Sequence, residues 1–255
     1  GTATRYVEDR PFPLFASISP DNRWLTYIDF GSEERRFSIQ RRDEEGSRDD
    51  FFLNTWGIVA WSADGNSALL DELNSGDVTI YELSLKGDNV ELRTALELDD
   101  TFPFALDMTA DGEYFFIAHG DYNASDIYEY DLITGEITRI TPDSQRIGNI
   151  ALSPDESRIA YTNDETVLVI NRDGTMNPNV IVYPSVAVVN VGPTLYWTND
   201  GTGIVHQGYT ELSYGLWDVF YIDLETRRPQ RITAASTESD FLNRWWTCMP
   251  PENAE

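Results

Sequence analysis

Short apolar runs alternate with tight polar turns along almost the whole chain, and the unit so formed repeats. Ile150-Ala151-Leu152 leads into Ser153-Pro154-Asp155 and then into Ile159-Ala160-Tyr161. Ser19-Pro20-Asp21 precedes Trp24-Leu25-Thr26-Tyr27-Ile28, and Trp61-Ser62-Ala63-Asp64-Gly65 precedes Ala68-Leu69-Leu70. Thr109-Ala110-Asp111-Gly112 precedes Tyr114-Phe115-Phe116-Ile117, and Trp197-Thr198-Asn199-Asp200-Gly201 precedes Gly203-Ile204-Val205. The turn aspartates stand at 21, 64, 111, 155 and 200, giving spacings of 43, 47, 44 and 45. A near-constant period in the forties marks a repeat architecture.

Each unit holds four short strands. In the second, Val78 to Leu83 is the third strand, Lys86-Gly87-Asp88-Asn89 the turn and Val90 to Leu96 the fourth. The third blade pairs Ile127 to Leu132 with Glu136 to Thr141; the fourth pairs Val167 to Ile170 with Val180 to Tyr183; the fifth pairs Trp217 to Leu224 with Gln230 to Thr233. In the first, Phe15 to Ile18, Trp24 to Phe30, Phe37 to Gln40 and Phe51 to Leu53 are the expected strands, with Pro11-Phe12-Pro13 as a stop. A four-stranded antiparallel sheet with two apolar faces needs a neighbour on each side, which arranges such units radially. The expectation is an all-β propeller of four-stranded antiparallel blades. Five repeats are complete, at about 14–55, 56–99, 102–143, 147–187 and 191–235, and a sixth is partial. The chain reads as one domain over 1–255, with five or six blades.

The repeat resembles that of TolB-like β-propellers, the WD40-like PD40 repeat. Trp61-Ser62-Ala63-Asp64-Gly65 and Ser153-Pro154-Asp155 match the first half of its pattern. Ile127-Tyr128-Glu129-Tyr130-Asp131-Leu132-Ile133-Thr134-Gly135 with Arg139-Ile140-Thr141, and Phe220 to Leu224 with Arg231-Ile232-Thr233, match the second half. The resemblance covers residues 14–233. It implies an exported bacterial-type protein, periplasmic or extracellular, that works by binding other proteins. Such propellers usually have six blades, and here Trp245-Trp246-Thr247 stands where a sixth first strand begins. Residues 1–13, with Arg5, Tyr6 and Val7 in a strand-like run, and 236–255, with Trp245 and Trp246, are therefore expected either to close the ring or to share strands between copies. Head-to-tail sharing that does not close builds a filament.

Composition narrows the partners. The 255 residues carry 44 Asp and Glu against 18 Lys and Arg, a net charge of −26. Phosphate binding needs a basic footprint, so nucleic acid is not an expected partner. A lone Cys248 permits no internal disulfide. No apolar run reaches membrane-spanning length, and Gly1-Thr2-Ala3-Thr4 does not read as a signal peptide, so the expectation is a soluble chain or a mature form whose targeting segment has been removed. The expected partners are another protein or further copies of this chain.

Motif chemistry is sparse. There is no Gly-x-Ser-x-Gly elbow, phosphate loop or His-Glu-x-x-His. The turn aspartates are expected to serve turn geometry. His119 and His206 are read as ending second strands, near Asp29, Glu72, Asn163 and Asp164 of other blades, where polar strand ends compete with a metal-binding ring as the reading. Asp107 is the charged residue of the first strands, too isolated for a glycosidase carboxylate pair. Tyr122, Tyr209 and Tyr214 fall in loops after second strands and are candidates for stacking on a sugar or peptide. Asn123-Ala124-Ser125 is a glycosylation sequon. No cofactor is expected; the Asp121–Asp126 loop is acidic enough to hold Ca²⁺ but has no recognisable ligand spacing. An enzyme is not expected.

Overall fold

The computed structural model describes residues 13–29, 35–44, 47–55, 58–74, 77–98, 105–121, 124–141, 144, 146–163, 166–175, 181–182, 190–209 and 218–233. Among them there are twenty strands and no helix, in five four-stranded antiparallel sheets. The first blade is β1 (Pro13–Ile18), β2 (Trp24–Asp29), β3 (Arg36–Arg41) and β4 (Arg48–Phe51). The second is β5 (Ile58–Trp61), β6 (Ser67–Asn74), β7 (Asp77–Lys86) and β8 (Asn89–Leu98). The third is β9 (Ala105–Met108), β10 (Tyr114–Asp121), β11 (Ala124–Asp131) and β12 (Ile137–Arg139). β13 (Asn149–Leu152), β14 (Arg158–Thr162), β15 (Thr166–Asn171) and β16 (Ile181–Val182) form the fourth. β17 (Asn190–Trp197), β18 (Gly203–Tyr209), β19 (Asp218–Asp223) and β20 (Arg228–Arg231) form the fifth. Within each blade the strands pair in chain order.

The first hairpin turn is built identically five times. A hydroxyl residue, Ser19, Ser62, Thr109, Ser153 or Thr198, donates its N–H across to the residue five positions on and accepts that residue's N–H on its side-chain oxygen, at 2.9–3.1 Å. Two positions after the hydroxyl, Asp21, Asp64, Asp111, Asp155 or Asp200 accepts a backbone N–H at 2.9–3.2 Å. The next residue is left-handed in every copy: Asn22, Gly65, Gly112, Glu156 and Gly201 have φ between 57° and 75°. Glycine takes that conformation without a Cβ clash, and Asn tolerates it better than most residues. These bonds account for the aspartates of the period as turn residues.

The described residues fall into two compact units, one holding the first two blades and the Ala110–Glu113 turn, the other the rest of blade three with blades four and five. In the first unit a core of Trp24, Ile28, Phe37 and Ile39 from blade one meets Ala68, Leu70, Leu83 and Leu85 from blade two. In the second unit the fourth blade serves two cores, because a strand points successive side chains to opposite faces. Ile159, Tyr161, Leu168 and Ile170 pack on Phe116, Ala118, Ile127 and Ile140 of blade three. Ala160, Val167 and Val169 pack on Leu195, Ile204, Phe220 and Ile222 of blade five. Such two-sided burial is why an isolated blade would not hold.

Polar bridges cross the same seams. Trp61 donates its indole N–H to Ser17 Oγ of the preceding blade at 2.9 Å, and Trp197 donates to the Ala151 carbonyl at 2.9 Å. The Arg158 guanidinium lies 4.6 Å from the Trp197 ring centre and bonds the Gly201 carbonyl at 3.0 Å.

Several strand bounds differ from the sequence reading; β20, for example, is Arg228–Arg231 rather than Gln230–Thr233. The fourth strand of blade one is Arg48–Phe51, earlier than Phe51–Leu53. An outer strand has a single neighbour and tolerates charge, and Ser38 fixes the register by donating to Asp50 at 2.6 Å. β1 opens at Pro13 rather than Phe15, a position where a missing N–H is tolerated, and the Thr4–Val7 run that Pro11-Phe12-Pro13 is expected to stop lies outside the described residues.

Candidate functional site

Neither histidine ends its strand. His119 is the sixth residue of β10, paired across the ladder with Asp126 of β11. Its ring stacks on Tyr128, with centroids 4.4 Å apart. Asp126 sits in a nearly closed polar cluster: Arg139 and the Thr141 hydroxyl donate to Oδ1 at 2.7 and 2.8 Å, and Ser144 donates to Oδ2 at 2.9 Å. Burial pushes the Asp126 carboxyl up, but these three side-chain donors outweigh it and hold it below the usual carboxylate range. Burial lowers His119, and the Asp126 charge only partly offsets this. The pair is thus a half-buried imidazole beside a carboxylate with both oxygens engaged.

The fifth blade repeats the clamp. Asp218 opens β19 as Asp126 lies at the start of β11, and its Oδ1 accepts Arg231 at 2.6 Å and Thr233 at 3.1 Å. In both blades the threonine oxygen also accepts the N–H of the residue after the aspartate, Ile127 or Val219. Asp218 Oδ2 is buried with no hydrogen-bond partner. The spacing from aspartate to arginine to threonine is the same in each copy, 126, 139, 141 and 218, 231, 233. Sequence reasoning took Arg-Ile-Thr as a strand ending and missed its partner aspartate, although the common offset is visible in the sequence.

His206 lies in mid-β18, fully buried, with its ring stacked on Phe220 at a centroid distance of 5.5 Å. Its Nδ1 is 2.8 Å from the Gln207 carbonyl, which only accepts, so the proton sits on Nδ1. Burial pushes the imidazole down to about 4, against the carbonyl bond, so it is neutral at neutral pH. Asp29 is buried, and Glu72 accepts Tyr81 Oη at 2.8 Å and Asn54 N at 3.1 Å. Among the described residues no three His, Cys, Asp or Glu side chains are grouped to hold a metal.

Asp107 links strands of adjacent blades. Oδ2 accepts the Leu152 N–H of β13 at 2.7 Å, and Oδ1 accepts Met108 N at 2.8 Å. Tyr209 is the last residue of β18, where its backbone pairs with Asn190. Tyr122, Tyr214, Arg5, Tyr6, Val7, Trp245, Trp246, Asp164 and Cys248 lie outside the described residues, as do Asn123 of the sequon and part of the 121–126 loop.

Among the described residues the exposed large hydrophobics are Phe52, Ile133, Ile137 and Ile232. All belong to the outer part of a blade: Phe52 follows β4, Ile133 and Ile137 form the β11–β12 hairpin, and Ile232 follows β20. No described helix is long and apolar enough to cross a membrane.

No family model matches the sequence, and no curated protein matches it. Solved structures do. TolB from Acinetobacter baumannii aligns with a TM-score of 0.61 at 19% identity, over 89% of this chain and 55% of that one. The fold is a TolB-like β-propeller. A puromycin hydrolase S511A mutant complexed with PGG aligns with a TM-score of 0.65 at 15% identity, over 87% of this chain and 37% of that one. An oligogalacturonate lyase in complex with manganese gives 0.59 at 16% identity, over 85% and 63%. The chain thus spans about half the length of that TolB, and at these identities the likeness carries the fold alone.

Proposed function

We propose that this TolB-like propeller is a non-enzymatic, exported protein-interaction or self-assembly module. The observation that carries the reading is where polar and apolar groups are spent. Asp107 and Asp126 tie blades and strands together through their own hydrogen bonds, and His206 is buried against its neighbour's carbonyl, while the exposed large hydrophobics of the described residues lie on outer blade ends. Single exposed apolar residues are ordinary; their confinement to blade rims suits contacts made by the outside of the propeller. The resemblance to TolB supports export and a protein partner.

The test is light scattering with electron microscopy over a wide protein concentration range, with and without millimolar Ca²⁺. Concentration-dependent oligomers or filaments are expected. A persistent monomer that also fails to bind protein partners would overturn the reading. The likeness to a hydrolase and a lyase supports a second reading, in which the loops carrying Tyr122, Tyr209 and Tyr214 take a peptide or sugar. It predicts a monomer whose melting temperature rises with one compound class, because a ligand that binds only the folded state stabilises it.

A further inference from the structure

Among the described residues the fourth strand of each blade has one neighbour, and an outer edge is where another strand can add. Three are short, β4 and β20 with 4 residues and β12 with 3, and of β16 only Ile181–Val182 is described. β8 has 10, pairing along its length with β7 from Val78↔Leu98 to Lys86↔Asn89. The register slips once, between Ile80 and Tyr81, so that Ala95 bulges and leaves Asn89–Thr94 as an uninterrupted run.

Edges are commonly guarded by short length, by proline, by charged side chains or by a bulge. β20 is short and carries Pro229 with Arg228 and Arg231. β8 is long and has no proline, and its exposed charges Glu91 and Arg93, two residues apart and flanking Leu92, are of opposite sign, so that they pair across a two-fold axis rather than repel. The other face carries Val90 and Leu92, which pack on the core between the first two blades.

Self-pairing of this run has one register that uses every feature. An antiparallel pair centred on Leu92 places it against Leu92 of the second copy and Val90 against Thr94. It also places Glu91 against Arg93, and Arg93 against Glu91, on the other side of the two-fold axis. Opposite charges directly across a ladder stabilise it and like charges disfavour it. Arg93 already pairs with Glu82 of β7 in its own chain, which sets its guanidinium on the exposed face. The bulge at Ala95 ends the register where pairing would pass 90–94.

We infer that β8 is a homodimerisation edge, joining two copies through an isologous, antiparallel β8–β8 pair centred on Leu92. This deepens the proposed function and rests on it, naming a second copy as the partner. Five paired residues a side is a small interface, so the dimer is weak and appears at high concentration. Two chains of charge −26 also repel at long range, a force that 0.5 M salt screens within a few ångströms.

The experiment is sedimentation velocity at 0.5 M NaCl from about 5 to 500 µM, a range set around a weak interface, on the wild type, Glu91→Arg and Arg93→Glu. The wild type is expected to dimerise. Each single variant sets like charges across the axis and raises the dissociation constant at least tenfold. An equimolar mixture of the two variants restores opposite charges at both positions and recovers the dimer. This rescue separates pairing from any local damage caused by losing the Arg93–Glu82 bridge. Association that is unchanged in both variants overturns the β8 pairing and leaves the self-assembly reading standing. A wild type that stays monomeric throughout overturns the pairing and self-assembly together, while binding to a different protein stays testable.

Discussion

Ser153 shows how much a repeated turn asks of one small side chain. Its hydroxyl donates to Asp155 Oδ1 at 2.6 Å and accepts the Arg158 N–H at 2.9 Å, and the residue is buried. Ser153→Ala removes both bonds and leaves a backbone donor unpaired at the start of β14. The expected loss is about 1–3 kcal/mol, read from urea unfolding; a change below the error of that measurement would remove the argument for all five turns. His206 sets a pH dependence. Its folded value near 4 lies below the ordinary 6.5, so the unfolded chain binds the proton first as the solution is acidified. Stability is complete above about pH 6.5 and falls as pH drops towards 4, by on the order of 3 kcal/mol. His206→Leu is expected to lose less stability over that interval than the wild type does. The turn carboxylates act lower down: Asp155 and Asp200, held near 2 chiefly by the neighbouring hydroxyls Ser153 and Thr198, give up their contribution only as pH falls from about 4 towards 2.

At the scale of strands, Gly203 and Tyr221 make one object. They lie on the same face of blade five, and a Cβ at Gly203 would run into the edge of the Tyr221 ring. Gly203→Ala therefore has to displace the ring and is expected to cost about 1–3 kcal/mol. In a Tyr221→Ala background the same change is expected to be nearly neutral, so a double-mutant cycle in thermal unfolding isolates the clash. Near-additive single effects would place the strain elsewhere. Element existence was legible in the sequence because each blade repeats its turn chemistry. The lys-gly turn of blade two, at Lys86 and Gly87, even located the β7–β8 hairpin. Lateral relations were not legible: that Asp107 accepts Leu152 N–H depends on two blades standing side by side. β4 was misplaced because hydrophobicity is a poor guide to an outer strand. His206 was misread as a strand end because alternation alone does not say that its face is covered by a neighbouring blade. The Asp126 clamp was legible in principle, since its spacing recurs in blade five.

The molecule as a whole carries its charge in an unbalanced way. Of its 18 basic residues, 17 are arginine and Lys86 is the single lysine, against 44 acids. Arginine's planar fork pairs with carboxylates more effectively than an ammonium does, and the described arginines are used so: Arg172 grips Glu129 across the seam between blades three and four at 2.5 Å, and Arg231 grips Asp218. Most remaining carboxylates have no such counter-charge to draw on, simply by number, and their mutual repulsion favours the expanded chain. Added salt shortens the range of that repulsion from about 10 Å at 0.1 M to about 3 Å at 1 M, while the buried pairs are screened much less. The melting temperature is therefore expected to climb as NaCl rises from 0.05 to 1 M, by several degrees, most steeply at the low end where the screening length changes fastest. Differential scanning fluorimetry in NaCl and in choline chloride checks it: equal gains in the two salts mean general screening, and a gain confined to one cation means specific binding. A flat or falling curve would show that the arginine pairs, which salt weakens, outweigh the repulsion among the acids.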